Sequence, residues 1–493
     1  MRKQASIGDM LNLKAIVGLS IVLTEIVFIN ELASGSFELI LSSALVTIAL
    51  LIQLRFAVRP DSPGPADIVI FIFNWLFLDL APKVQLINQP QQLVNTSTVA
   101  VDRVALTNLV CALFMVAFTL FYEFLSRRAI KKSLRLPTPT PTRTPTSADE
   151  VPVVNVAAPA FSGVGVGIAV FFCILVVGIA APFAYKSVES QATISPGLLV
   201  MNRFLLFLPS ATMLIVLNET IRSGRKVAFS RVCVLLLLFL LVVITQNPYT
   251  EKRNALGPVY MGMLLIGFQN WFTSSARRML LLIFAMVLIF PASSIFTHNH
   301  QQTLGAVSFS QFSDAIAEHY FSVNYDSWAN VYTAIEFVQA HGIQWGHQLL
   351  GSALFFVPSA IWTSKPLATG IFLANYLINN YAMWFTNLSA PFVAEGYLDF
   401  GYLGVIAYGG ATAVIVTLLN RLGARTDRWS AFPMAVYASI FLMLVMRGSL
   451  MVAMGFITAA FLSFMFSSTL LSIRSERRRY PAPRQFGHPT LVS

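Results

Sequence analysis

Residues 230–246 read SRVCVLLLLFLLVVITQ, an apolar run in which Arg231 is the one charged residue. A helix of this length satisfies every backbone N–H and C=O within itself, which hydrocarbon demands of any segment that spans it. Similar runs extend outward in both directions, at 12–30, 38–56, 67–81, 104–125, 161–184, 198–218, 257–272, 279–296, 400–419, 431–446 and 449–471. Together they predict twelve spans. Composition agrees: 56% of the 493 residues are hydrophobic and 11% charged, with a mean hydropathy of +0.69. Soluble domains carry about a quarter charged residues. The reading is an all-α, polytopic helical membrane protein.

The net charge of +11 fits membrane topology better than nucleic acid, because the basic residues cluster. Arg55 and Arg59, the stretches 127–135, 222–226, 421–428 and 474–479, and Arg277 with Arg278 all fall on one side if both termini are cytoplasmic, as the positive-inside rule expects. An odd number of missed spans would break that pattern. The expected organisation is a four-helix membrane part at 1–135, a flexible Pro/Thr-rich cytoplasmic linker at 136–160, and central membrane helices at 161–296. A large extracytoplasmic loop at 297–399, C-terminal membrane helices at 400–473 and a basic cytoplasmic tail at 474–493 complete it. Cys111, Cys173 and Cys233 all sit in apolar runs and read as small buried hydrophobes. The first apolar run lacks a small-residue cleavage site and is expected to remain as a helix.

The loop is where polar chemistry concentrates. It holds His298, His300, His319, His341 and His347, with Asp314, Glu318, Asp326, Glu336, Lys365, Glu395 and Asp399. Trp328, Val331, Tyr332, Ile335 and Val338 recur at helical spacing, with Asp326, Asn330 and Thr333 on another face. QLLGSALFFVPSAIW (348–362), broken by Pro358, reads as a re-entrant or interfacial helix, and 375–385 suits the membrane–water interface. His298-Asn299-His300 has nothing of a nuclease around it, and most of the histidines read as solvated loop residues. No HExxH, CxxC, GxxxxGKS, GxGxxG or GxSxG is present, so no metal and no cofactor is predicted.

Some cations break the inside rule: Lys83, Arg103, Lys186, Arg203, Lys252, Arg253, Lys365 and Arg447. Arg203, Arg253 and Arg447 lie at one depth on three hairpins, and guanidinium forks suit phosphate oxygens. The alternative is snorkelling to headgroups or pairing with a local acid such as Glu251. Glu395 and Asp399, four apart, would share a helical face; either could accept a proton from a hydroxyl, or simply cap a helix. Gly396, Gly401 and Gly404 would permit close backbone approach, more often for packing than for a ligand.

Three pieces then fall into a pattern: IEFVQAHGIQWGHQLLGSALFFVPSAIWTSKP (335–366), APFVAEGYLDFGYLGVIAYG (390–409) and MRGS (446–449). This resembles the Wzy-type O-antigen and exopolysaccharide repeat-unit polymerases of bacteria, which are similar in architecture to O-antigen ligases and the GT-C class. The resemblance implies a glycosyltransferase of the inner membrane, acting on undecaprenyl-diphosphate-linked oligosaccharides among membrane lipids, with flippase and chain-length regulator proteins as partners and no nucleic acid. It implies Arg203, Arg253, Arg447 and Lys365 for the diphosphate. Glu395 is the first choice of base, with Asp326 or His319 in reserve, and Trp345, Trp362, Tyr376, Tyr381 and Trp384 would stack on sugars. Those aromatics would look the same as an interfacial belt. Two rivals remain, a ligase that transfers finished polysaccharide and a lipid-oligosaccharide flippase or transporter. The latter predicts charges lining a pathway near the bilayer midplane and often paired halves, and no repeat is evident here.

Overall fold

The computed structural model describes residues 7–33, 36–59, 64–134, 161–184, 196–224, 227–247, 253–291 and 318–473. The expected linker and basic tail, and Lys186, Lys252, His298, His300 and Asp314, lie outside the described residues. Within them the chain is helical. α1 (Ile7–Phe28) and α2 (Phe37–Ala57) form a hairpin, and α3 (Ala66–Trp75) runs through a π-helical stretch, Leu76–Leu80, into α4 (Ala81–Asn88). Then come α5 (Val101–Leu134), α6 (Gly163–Ala184), α7 (Pro196–Arg222), α8 (Phe229–Thr245), α9 (Arg253–Gly267) and α10 (Ser275–Phe284), the last extended by a second π-helical stretch, Ala285–Ile289. The polar segment holds α11 (Ser327–His341), α12 (His347–Ala353) and α13 (Thr369–Tyr381), followed by α14 (Phe392–Gly423), α15 (Ala431–Arg447) and α16 (Leu450–Leu471).

Every expected span overlaps a helix, but length alone does not make twelve crossings. Among the described residues six helices are long and apolar enough to cross a membrane: α1, α2, α5, α7, α14 and α16. α6, α8, α9 and α15 contribute shorter apolar stretches. The runs at 67–81 and 279–296 are each interrupted by a π-helical turn, and residues 292–296 lie outside the described part. The protein is thus a helical, multi-pass membrane protein.

Local sequence explains several boundaries. Ser36 caps α2, its Oγ accepting from Leu39 N at 3.3 Å, with Glu38 in the first turn and Arg55 in the last, as the helix dipole favours. Ser274 caps α10 in the same way. α11 stops at Gly342, whose φ of 82° suits glycine. Its expected apolar stripe is buried at Trp328, Val331, Tyr332 and Ile335, and the second face, Asp326, Asn330 and Thr333, is buried too. The apolar stretch 348–362 is helical only to Ala353 and then turns.

The tenth span departs most from expectation. Helix α14 begins at Phe392 and breaks at Phe400–Gly401, where Gly401 adopts φ 60°, ψ −140°. Residues 392–399 therefore fold back on the helix that follows. A Cβ at Gly404 would collide with the Gly396 carbonyl oxygen, so the close approach foreseen for these glycines is a packing contact between the two halves.

α14 packs along α5, and α3 packs against α15, so helices from both sides of the linker share one hydrophobic core that runs from Leu13 to Leu471. The two ends of the bundle are closed by separate polar sets. At the basic end Arg222 Nε donates to Gln269 Oε1 (2.9 Å), Asn218 to Trp429 O (2.8 Å), Ser162 to Ile473 O (2.7 Å) and Asn420 to Asp67 (3.2 Å). The opposite end carries α11–α13.

Candidate functional site

At the α11 end, a cavity of about 370 Å³ lies between α3, α9, α10 and α15. Its wall is apolar, built by residues such as Val69, Ile72, Met261, Met286 and Met443, and Arg447 is its one charged lining residue. Along α3 and into the π-helical stretch after it, the lining runs from Val69 to Phe77, about 12 Å at the helical rise per residue. Arg447 is the last residue of α15, where a cation also meets the negative end of the helix dipole.

Aromatic rings close this end of the cavity. Phe77 lies 5.9 Å from the Arg447 guanidinium and stacks on Tyr325 at 4.8 Å. Tyr325 meets His319 edge-on at 5.5 Å, and His319 meets Phe290, itself a lining residue, at 5.4 Å. Asn324 Nδ2 is 3.2 Å from His319 Nδ1. With Asn324 as donor, the ring carries its proton on Nε2.

Arg447 Nη2 donates to Val323 O at 3.1 Å and stands 3.6 Å from Asp326 Oδ1. Asp326 is 1% exposed. Its Oδ2 accepts from Asn330 Nδ2 (2.9 Å) and from Ser389 N (3.1 Å), while Asn330 Oδ1 accepts from Asn95 Nδ2 (2.9 Å) and Asn95 also donates to Thr333 (2.9 Å). A buried network satisfied in this way fixes the carboxylate rigidly. Arg447 Nε and Asp326 Oδ1 have no hydrogen-bond partner among the described residues.

Glu395 and Asp399 do share a face, and both are spent on helix termini. Glu395 Oε1 accepts from Leu450 N at 2.9 Å and Ser449 Oγ at 3.3 Å, capping α16. Asp399 accepts from Gln348 N (3.0 Å), Leu349 N (2.9 Å) and Tyr408 OH (3.2 Å), capping α12. Each caps a neighbouring helix, not its own. Glu395 therefore grips the turn that begins two residues after Arg447.

Of the other expected diphosphate ligands, Arg203 and Lys365 do not line this cavity. Arg203 packs over the Phe456 ring at 4.9 Å and lines a small separate pocket with Gln246 and Tyr437. Arg253 opens α9, one turn before the lining residues Leu256 and Gly257; its side chain lies outside the described residues. Lys365 Nζ donates to Phe355 O (2.7 Å) and Val357 O (2.8 Å), binding its own loop, and burial holds its ammonium below the usual lysine range.

The five aromatic candidates divide. Tyr376 and Tyr381 both donate to Glu336 Oε1, and Arg103 Nη1 meets Glu336 Oε2 at 2.7 Å. Burial first, then the Glu336 hydrogen bond, pushes the Tyr376 hydroxyl up to about 12, and Tyr381 rises for the same causes. These two fasten α13 to α11 and α5. Trp345 and Trp384 are 78% and 75% exposed, Trp345 with a left-handed φ of 50°, and half-buried Trp362 donates to Ser364 Oγ. Among the described residues no three carboxylate, imidazole or thiol groups converge on a metal position.

Sequence reasoning missed Phe77, Tyr325 and Asn95, which shape the site through packing and one buried amide. The only hint was the polar run Asn95–Thr98 in the loop between α4 and α5. The chain matches no protein-family model, no curated protein and no solved structure.

Proposed function

We propose that the chain is a membrane-embedded glycosyltransferase of the repeat-unit polymerase type. It transfers a growing glycan from undecaprenyl diphosphate to the next lipid-linked unit at the outer face of a bacterial inner membrane, in O-antigen or exopolysaccharide synthesis. The carrying observation is the apolar cavity that ends at Arg447 beside Asp326 and His319. An isoprenoid tail suits the apolar wall, and a diphosphate suits the guanidinium at its end. The buried Arg447 Nε without an acceptor supports an incoming oxygen there. In this reading both termini are cytoplasmic, the π-interrupted helices complete twelve crossings in a GT-C-like arrangement, and flippase and chain-length regulator proteins act beside the enzyme.

The roles shift from those expected of the sequence. Arg447 stabilises charge on the leaving diphosphate, with Arg253 on the turn before the cavity as its partner. Asp326 takes the acceptor hydroxyl's proton, because its Oδ1 stands at the cavity end beside Arg447 whereas Glu395 is committed to Leu450 and Ser449; His319, whose Nδ1 is occupied by Asn324, is the reserve. Glu395 becomes a positioning residue for the Arg447 turn. Arg203 and Lys365 leave the diphosphate grip, held by Phe456 and by backbone carbonyls.

The test is reconstitution of the purified protein in lipid nanodiscs with lipid-diphosphate-linked repeat units. Dimers and longer products are expected, and they should vanish in Arg447→Ala. Failure to extend any unit while finished polysaccharide is passed to a lipid A core or protein acceptor would make the chain a ligase.

A further inference from the structure

We infer that the cluster of Glu25, Asp79 and Lys83 is a proton-binding site, carrying one proton on Asp79 besides the charge of the lysine. The cluster lies among α1, α2, the Leu76–Leu80 stretch and α4, and lines neither cavity described above. Glu25, Asp79 and Lys83 are 6%, 1% and 5% exposed. Lys83 Nζ lies 2.6 Å from Glu25 Oε2 and also contacts Asp79 Oδ1. Ser43 Oγ and Thr47 Oγ1 donate to the same Glu25 oxygen at 2.8 and 3.0 Å. The Phe28 ring covers Lys83 at 6.0 Å, and Cys111 of α5 is the remaining titratable side chain facing Asp79.

Fully ionised, the three groups hold two negative charges and one positive charge away from water, which leaves one carboxylate uncompensated. The lysine already occupies the position between the carboxylates. A metal ion would need about six oxygens around it, and the two nearby hydroxyls already donate to Glu25. A proton is the cation that fits. The hydrogen bonds say where it goes. Glu25 Oε2 has three donors, which hold its charge. Asp79 has Lys83 alone; each carboxylate keeps one oxygen without a partner among the described residues, Glu25 Oε1 and Asp79 Oδ2, so the number of donors decides. Taking a proton from solvent onto Asp79 Oδ2 leaves Glu25 and Lys83 as an ion pair and the cluster neutral. Phe77, two residues before Asp79 on the same π-helical stretch, forms the end of the Arg447 cavity, so the two sites share a backbone segment.

Infrared difference spectra of the protein in nanodiscs at neutral pH test this. Wild type minus Asp79→Asn should show one equivalent of carboxylic-acid C=O absorption that shifts in D2O. Wild type minus Glu25→Gln should show the same loss, because Asp79 and Lys83 then balance each other with both ionised; this spectrum decides if Asp79→Asn does not fold. Lys83→Met should gain a second equivalent. Difference spectra without a carboxylic-acid band would overturn the proposal. So would a sodium-dependent rise in wild-type Tm that is lost in Glu25→Gln, which would assign the site to a metal cation.

Discussion

Arg447 and Asp326 show how one ion pair can serve both folding and chemistry. Their side chains are 16% and 1% exposed, and each is the other's nearest opposite charge. Removing one partner of a buried pair strands the other, at about 3–5 kcal/mol. Arg447→Ala should therefore lower the unfolding temperature as well as stop chain extension. Adding Asp326→Asn should restore much of the stability, since no bare carboxylate remains, and none of the extension. Thermal unfolding of the two single variants and the double variant, compared as a cycle, reads this coupling directly. Glu395 gives the opposite pattern. Glu395→Gln keeps an oxygen for Leu450 N and should still build ladders in reconstitution, whereas Glu395→Ala should lose about 1 kcal/mol of cap. Ladders lost in Glu395→Gln at unchanged stability would return the base role to Glu395. The sequence exposed Arg447 as a misplaced charge but could not reveal that Glu395 was occupied. Its partner, Leu450 N, is a backbone group 55 residues away that no pattern announces.

Among the elements, α11 and α13 are joined by charge and α14 is bent by glycine. The Glu336 carboxylate collects Arg103, Tyr376 and Tyr381, which ties the polar segment to the start of α5. Because the Tyr376 hydroxyl is raised to about 12 in the folded protein, its contribution is fully present below the unfolded value of about 10. It is lost as pH climbs through the folded value. A phenolate absorbance titration should lose one equivalent from its late-ionising tyrosines in Tyr376→Phe, and α13 should loosen in the same alkaline window. At the α14 break, Gly401→Ala forces a side chain onto a positive φ, at about 1–3 kcal/mol. Gly404→Ala should cost more, because its Cβ meets backbone that cannot yield. Thermal unfolding ranks the two. The apolar stripe of α11 was readable because helical spacing survives burial. The start of α14 was not, because residues 392–399 are buried by folding back and carry no apolar run long enough to signal a span.

At the scale of the whole molecule, alternation of the helices can be checked from contacts the sequence never specified. Counting crossings from the sequence assigns Arg222, Gln269, Asn218, Trp429, Ser162 and Ile473 to one side, and in the structure they meet pairwise at one end of the bundle. Arg103 and Glu336, Gln85 and Tyr320, and Arg447 and Asp326 belong to the other side and meet at the other end. Charge clustering carried this information because topology follows local Lys and Arg counts. Which helices lean together did not show, because packing depends on small residues and shape. The sidedness itself predicts a labelling pattern. After removal of the native thiols Cys111, Cys173 and Cys233, a cysteine at exposed Trp345 should react in intact cells with a membrane-impermeant maleimide. A cysteine at Gly224, in the turn after α7 at the basic end, should react only once the membrane is opened. Labelling of both positions in intact cells would break the alternation. Labelling of Gly224→Cys alone would invert it and move the Arg447 cavity to the cytoplasmic leaflet. The donor would then have to be a lipid-linked sugar not yet carried across the membrane, and polymerisation at the outer face would no longer fit.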